Sequence, residues 1–206
     1  MMTKIKMCGL FRDEDIAYVN EIKPEYIGFV FYKKSHRYVD FETAKRLRSK
    51  LDNNIKAVGV FVNEDISFIK DLVKDNVIDV IQLHGNEDSE YIARLKDDEI
   101  VKSTPVIKAI QIKDDSVSPE KLFSEFEPLV DFFLLDSGMG SGSSFDWKLV
   151  KEPAKPFFLA GGLSNENIEE AIKTVNPYAV DVSSGIETSK VKDFDKMKHF
   201  AHLVRR

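Results

Sequence analysis

Eight short apolar runs recur along the 206-residue chain, and this repetition constrains the fold more than any other feature. Each run predicts a strand, because β-branched and aromatic residues favour strands, and several runs are apolar on both faces, as in a parallel sheet covered by helices. The predicted strands are Lys4 to Met7, Tyr26 to Phe31, Ile55 to Phe61, Val80 to Leu83, Val106 to Ile110, Phe132 to Leu135, Phe157 to Ala160 and Ala179 to Val182.

The segments between these runs carry apolar residues at helical spacing. Ala44, Leu47 and Leu51 recur three and four residues apart after Asp40, which is a good N-cap residue. Similar stripes predict further helices near residues 13–21, 66–73, 88–96, 119–126, 168–175 and 194–204, and a single turn at 146–150.

Strict alternation of strand and helix, eight times over, predicts a closed (β/α)8 barrel rather than an open doubly wound sheet. About 26 residues per unit are enough for a strand, a helix and two short loops. Since no linker rich in Pro or Gly interrupts the pattern, we expect residues 1–206 to form a single α/β domain, a TIM barrel. Active sites of such barrels lie at the C-terminal ends of the strands, so the residues that follow each run are the candidates for function.

Composition excludes several classes of function. The net charge of −5 and the pI near 5.5 leave no basic stripe, so we expect no nucleic-acid partner. No stretch approaches the roughly 18 to 20 apolar residues of a membrane helix, and the N-terminus is not a signal peptide, so we expect a cytoplasmic protein without a membrane partner. The single cysteine, Cys8, excludes an internal disulfide. The four His residues show no metal-ligand spacing, and we expect neither a metal site nor a cofactor.

The sixth run is followed by a carboxylate, Asp136, and then by a Gly/Ser-rich segment, residues 137–144. An acid at the exit of a buried strand, next to a loop that can fold over a ligand, makes a plausible catalytic edge. The glycines lack the spacing of a dinucleotide fingerprint, and no Gly-Lys-Ser/Thr follows, so a nucleotide site is not supported. The plainer alternative is a flexible connection with an incidental carboxylate.

Two other exits hold a possible base and a possible anion-binding group. Cys8 follows the first run, and a thiolate there could abstract a proton, although an unperturbed thiol is mostly protonated at neutral pH. Residues 32–38 follow the second run and include Arg37, which can hold a carboxylate through two parallel hydrogen bonds. The alternatives are a buried structural cysteine and a solvated basic loop.

The last two exits predict a phosphate site. Gly161 and Gly162 would expose backbone N–H groups just before a helix, and Ser183 and Ser184 would add donors from the adjacent strand. Two ordinary glycine turns are the alternative. His84, after the fourth run, could orient a substrate or serve as a structural hydrogen-bonding group. An acid, a possible base and a phosphate site together suggest proton transfer on a sugar phosphate that bears a second anionic group.

Motifs that span nearly the whole chain carry a resemblance to a known family. They are Lys6 to Leu10, Gly28 to Phe31 with Ser35 to Tyr38, Gly59 to Asn63, Gln82 to Gly85, Leu134 to Asp136 with Gly140 to Gly142 and Phe145 to Trp147, Ala160 to Leu163, and Val180 to Gly185. In this order they resemble the phosphoribosylanthranilate isomerases of tryptophan biosynthesis.

The resemblance implies an Amadori rearrangement of N-(5-phosphoribosyl)anthranilate to 1-(2-carboxyphenylamino)-1-deoxyribulose 5-phosphate, by a monomer that acts on a small-molecule sugar phosphate without a cofactor. It implies that Asp136 is the general acid that protonates the ribose ring oxygen, and that Cys8 is the base that removes the C2 proton. It also implies that Arg37 holds the anthranilate carboxylate and that Asp181 and His84 belong to the pocket. The implied phosphate-binding residues are Gly161, Gly162, Ser183 and Ser184.

These roles require a protonated carboxyl and a deprotonated thiol at the same time, which is the reverse of their resting states at neutral pH. We therefore expect apolar surroundings to raise the pKa of Asp136. We expect loop closure and substrate to favour the Cys8 thiolate.

Three alternatives remain open at the level of sequence. Indole-glycerol-phosphate synthase would require a catalytic Lys that reaches into the barrel. The histidine-pathway isomerase would require a second Asp at the first strand exit, where this chain has Cys8. A non-catalytic phosphate-binding barrel that senses a metabolite would need neither Cys8 nor Asp136, and binding without turnover would support it.

Overall fold

Eight parallel strands form a closed barrel in chain order, as the sequence predicts. The structure is a computed structural model that describes residues 2–111, 119–136 and 153–206. The barrel strands are β1 (Lys4–Cys8), β2 (Tyr26–Val30), β3 (Lys56–Phe61), β4 (Val80–Leu83), β5 (Val106–Gln111), β6 (Phe132–Asp136), β7 (Phe157–Ala160) and β8 (Ala179–Val182).

Helices connect most of these strands, and several begin at an aspartate that caps the first turn. Asp40 accepts a hydrogen bond from the backbone N–H of Thr43, which confirms the predicted N-cap. The helices of the described residues are α1 (Asp13–Ile22), α2 (Phe41–Arg48), α3 (Ile66–Lys74), α4 (Ser89–Asp97), α5 (Pro119–Phe126), α6 (Ile168–Val175) and α7 (Phe194–Val204). The turn predicted at 146–150 and the Gly/Ser-rich segment 137–144 lie outside the described residues. In the described part of the chain, no helix has both the length and the apolar character that a membrane crossing requires.

Side chains alternate between two cores along each strand. On β1, Ile5 and Met7 are fully buried in the outer core between barrel and helices. Their neighbour Lys6 therefore points into the barrel, where a second core fills the interior. That inner core consists of Val58, Val80, Ile107, Ala109, Leu134, Phe158, Ala160 and Ala179.

A short antiparallel hairpin follows β8 and is not predicted by the sequence patterns. Its strands, β9 (Glu187–Thr188) and β10 (Val191–Lys192), have only two residues each, which is too short for a periodic signal. The hairpin lies between β8 and α7. It brings Glu187 and Lys192 to the C-terminal end of the barrel, where Arg37 also lies.

Candidate active site

A cavity of about 410 Å³ opens at the C-terminal end of the barrel. Its volume is within the range of small-molecule sites. The structure brings every site residue predicted from the sequence to the wall of this cavity, although their roles are not tested by that placement. These residues are Cys8, Arg37, His84, Asp136, Gly161, Gly162, Asp181, Ser183 and Ser184.

The predicted acid, Asp136, is the last residue of β6 rather than the first residue of a loop. Its register partners are Gln111 on β5 and Ala160 on β7, so sheet pairing on both sides fixes its backbone. One carboxylate oxygen, Oδ2, lies 3.3 Å from Nε2 of His84. The structure therefore places His84 directly against the predicted acid, in addition to lining the cavity.

Gln82 holds the other side of the His84 ring. Its amide nitrogen lies 2.9 Å from Nδ1 of His84. Because an amide N–H can only donate, Nδ1 accepts and the ring proton sits on Nε2, facing Asp136. The amide oxygen of Gln82 is buried and has no hydrogen-bond donor among the described residues.

The predicted base, Cys8, ends β1 and is 8% exposed. Its carbonyl oxygen accepts a 2.9 Å hydrogen bond from the Ser183 hydroxyl, which ties β1 to the residue that follows β8. The facing residue on β2 is Gly28, where a Cβ would lie 2.6 Å from the Cys8 sulfur. A glycine on the neighbouring strand thus makes room for the thiol.

Burial raises the pKa of Cys8, and this effect outweighs the opposing influence of Lys6 and Lys192. The resting site therefore holds Cys8 as a thiol at neutral pH. The thiolate needed for proton abstraction has to be favoured in another state of the site, and its formation on loop closure and substrate binding stays a prediction.

Lys6 and Asp181 form an ion pair in the barrel interior. They are register partners on β1 and β8, and Nζ of Lys6 lies 2.8 Å from Oδ2 of Asp181. Lys6 is fully buried, and the other carboxylate oxygen of Asp181 has no hydrogen-bond donor among the described residues. Burial raises the pKa of Asp181 more than Lys6 lowers it, and Asp181 and Cys8 in turn raise the pKa of Lys6. The 2.8 Å contact is typical of an ammonium–carboxylate pair.

Arg37 is already paired in this structure. Its Nε and Nη2 donate to the two carboxylate oxygens of Glu187, each at 2.7 Å. Nζ of Lys192 lies 2.6 Å from the same carboxylate. Although burial opposes ionisation, the bonds from Arg37 and Lys192 lower the pKa of Glu187 to about 2. Glu187 therefore occupies the Nε/Nη2 edge of the Arg37 guanidinium, a kind of contact that the sequence suggested for a substrate carboxylate.

The predicted phosphate-binding residues meet where the loops after β7 and β8 approach each other. Ser164 and Gly185 form a parallel bridge, and a Cβ at Gly185 would lie only 2.0 Å from the carbonyl oxygen of Leu163. The expectation that Gly161 and Gly162 lie just before a helix is wrong in detail. A turn, stabilised by hydrogen bonds to the Ser164 carbonyl, separates them from α6, which begins at Ile168.

A protein-family model described as N-(5'phosphoribosyl)anthranilate (PRA) isomerase matches residues 5–202 of the chain. The chain belongs to the PRA isomerase family. The N-(5'-phosphoribosyl)anthranilate isomerase of Endomicrobium trichonymphae is 50% identical to it over 209 aligned positions, covering 99% of each protein.

Two solved structures of PRA isomerases match over 98% of this chain and 98% of their own. One is a phosphoribosyl anthranilate isomerase in complex with reduced 1-(o-carboxyphenylamino)-1-deoxyribulose 5-phosphate, with a TM-score of 0.85 and 35% identity. The other is a monomer generated from the dimeric enzyme of Thermotoga maritima, with a TM-score of 0.83 and 34% identity.

Membership of the PRA isomerase family confirms the resemblance drawn from the motifs and the assignment to an isomerase of tryptophan biosynthesis. It also decides between the alternative barrels. The requirement of indole-glycerol-phosphate synthase for a lysine that reaches into the barrel would not have excluded that enzyme. Lys6 does reach into the barrel.

Sequence reasoning missed Gln111, which lines the cavity, and four further polar side chains in or next to its wall. Lys6 carried a usable signal, because it alternates with two apolar neighbours on β1 and so must face the interior. Gln82 lies within one of the family motifs, but its contact with His84 depends on side-chain geometry. Glu187 and Lys192 gave no local signal, because only the two-residue strands β9 and β10 bring them to the site.

Proposed function

We propose that this PRA isomerase catalyses the rearrangement with Asp136 as general acid and Cys8 as general base. The observation that carries the proposal is that both side chains line one cavity from strands β6 and β1, which are not neighbours in the barrel. A substrate bound between them would present its ring oxygen to Asp136 on one side and its C2 proton to Cys8 on the other. Acid and base would then act on one substrate without competing for the same atom.

The proposed reaction has two proton transfers. Asp136 gives its proton to the ribose ring oxygen; the C1–O bond breaks with its electrons going to that oxygen, and the nitrogen lone pair forms the iminium. The Cys8 thiolate then removes the C2 proton, and the electrons of the C2–H bond form a C1–C2 double bond while the iminium nitrogen becomes neutral. The resulting enolamine tautomerises to the ketone.

The remaining cavity residues would hold the two anionic ends of the substrate. Ser184 and the backbone N–H groups of Ser183 and of the glycines after β7 would supply donors for the phosphate, because the Ser183 hydroxyl already donates to the carbonyl of Cys8. Arg37 would meet the anthranilate carboxylate with the edge of its guanidinium that Glu187 does not hold. Oδ1 of Asp181, which has no donor in the described part of the chain, would accept a hydrogen bond from a ribose hydroxyl. Reduced 1-(o-carboxyphenylamino)-1-deoxyribulose 5-phosphate, the ligand in the complex of one solved relative, likewise carries a carboxyl and a phosphate group.

The protein would act as a cytoplasmic monomer in this proposal. The Thermotoga maritima relative is described as dimeric, so the two states have to be distinguished by experiment. Light scattering across a range of protein concentrations measures the mass directly. A single 23.5 kDa species supports the monomer, and twice that mass contradicts it.

The proposed roles are tested by following the fluorescence loss of phosphoribosylanthranilate generated in place. General acid and base groups contribute roughly 10² to 10⁴-fold each, so Cys8→Ala and Asp136→Asn should each lose that much activity while remaining folded. Asp75→Asn, which removes a surface partner of Lys45, is the matched control and should keep wild-type activity. If the wild type binds a phosphorylated ligand and converts nothing, the catalytic proposal fails and the metabolite-binding alternative takes its place.

A further inference from the structure

Lys6 has no role in the mechanism described so far, yet it lies next to the proposed base. It is two residues before Cys8 on β1, so both side chains point into the barrel. Its ammonium group contacts Oδ2 of Asp181 at 2.8 Å, and its charge lowers the pKa of Cys8, which faces the same side of the strand. A fully buried lysine is costly unless its charge is compensated, and a barrel interior is ordinarily filled by apolar side chains.

Among the described residues, four charged groups interact electrostatically with Cys8. They are Lys6 on its own strand, Asp181 on β8, Lys192 on β10 and Arg37 from the loop after β2. Lys192 and Arg37 are both committed to the carboxylate of Glu187, at 2.6 and 2.7 Å. Among these cations Lys6 has the strongest interaction with the thiol, and Gly28 on the facing strand adds no charge.

Formation of the thiolate does not require a change in the net charge of the site. Where Asp136 is a carboxylate and Cys8 a thiol, a proton that leaves Cys8 while another binds Asp136 gives the active pair, thiolate and carboxylic acid. The total number of protons is the same in both. What changes is the position of the negative charge, which moves from the side of β6 to the side of β1. A fixed positive charge beside Cys8 favours the active pair.

We propose that Lys6 is the positioning residue that stabilises the Cys8 thiolate and keeps its own proton throughout the reaction. The proposal rests on the role of Cys8 as base given above. Burial works against the charge of Lys6, but Asp181 and Cys8 raise its pKa above the ordinary value, so Lys6 remains an ammonium and does not compete with Cys8 as a base. Asp181 has the opposite influence on the thiol, because its negative charge raises the pKa of Cys8.

The single cysteine of the chain allows a direct test that uses no substrate. The rate of Cys8 alkylation by iodoacetamide, measured as a function of pH, reports the thiolate fraction. Lys6→Met should slow alkylation at neutral pH about tenfold or more, because an adjacent opposite charge is worth at least that factor in the thiolate population. Asp181→Asn should accelerate alkylation, and Lys6→Arg should restore most of the rate lost in Lys6→Met.

Lys108 offers a matched control. Like Lys6, it is a buried lysine of a barrel strand with a 2.8 Å ion pair, to Glu87, but it lies on the outer face of β5 and does not contact Cys8. Lys108→Met should leave the alkylation profile unchanged. If Lys6→Met does not fold, Lys6→Met with Asp181→Leu removes both buried charges, and it should still be alkylated more slowly than wild type because Lys6 has the larger influence on the thiol.

Opposite shifts in the two single variants support the proposal. Shifts in the same direction would indicate general loosening of the barrel, since each variant leaves one buried partner unpaired, and would overturn it. An unchanged profile in Lys6→Met, or in the double variant, would also overturn it. The result is independent of turnover: an inactive wild type with the expected alkylation shifts would remove Cys8 as the base while the coupling to Lys6 stands.

Discussion

The two sides of the cavity differ in how their charges are compensated. The base side, around Cys8, holds two ionic clusters with contacts of 2.6 to 2.8 Å: a buried one between β1 and β8, and a partly buried one between the loop after β2 and the hairpin. On the acid side, Asp136 faces His84 at 3.3 Å. The chemistry proposed makes the larger electrostatic demand on the base side, because Cys8 has to become charged in a buried place and this requires nearby positive charge.

The largest stability difference between the two sides is expected at Glu187. Its pKa of about 2 in the folded protein is below its ordinary 4.5, so the carboxylate adds stability that is fully present above pH 4.5 and lost as pH falls towards 2. After allowance for solvent screening, Glu187→Gln should lower the free energy of unfolding at neutral pH by roughly 2 kcal/mol. Urea unfolding at neutral and acid pH measures this.

The same experiment has an exposed control in Glu21→Gln, which removes a surface contact to Lys198. That change should cost less than about 0.5 kcal/mol at any pH. The gap between wild type and Glu187→Gln should close in acid, because the wild type alone loses the contribution of an ionised Glu187. A gap that is constant across the pH range would show that Glu187 contributes through packing and not through charge.

A smaller effect is expected on the acid side, at Gln82. One end of its buried amide holds His84 and the other has no donor among the described residues, so its net contribution is about that of one hydrogen bond, roughly 1 kcal/mol. Gln82→Leu should lower stability by no more than that. It should reduce kcat/KM only a few-fold, because the His84 ring would lose the hydrogen bond that fixes its orientation. A loss as large as that of Asp136→Asn would mean that the acid side depends on its polar contacts as much as the base side does.

The fold was predictable because its signals are local. Apolar spacing alone located the eight barrel strands and most helices within a residue or two, and Asp40 marked the start of α2 by its chemistry. The cavity residues were predictable because the ends of parallel strands converge. The partners of these residues were not: Arg37 and Glu187 are 150 positions apart, and their contact depends on the hairpin after β8. The distance from Gly162 to α6 was also missed, because the turn between them is closed by hydrogen bonds to the Ser164 carbonyl and carries no periodic signal.

The division into an acid side and a base side is tested most directly by a kinetic isotope effect. Deuterium at C2 of the ribose of phosphoribosylanthranilate slows only the step in which Cys8 would remove the C2 hydrogen. The account predicts that the isotope effect on kcat/KM rises in Cys8→Ser, where proton removal limits the rate, and falls towards unity in Asp136→Asn, where ring opening limits it. The reverse pattern would contradict the assignment of the two roles.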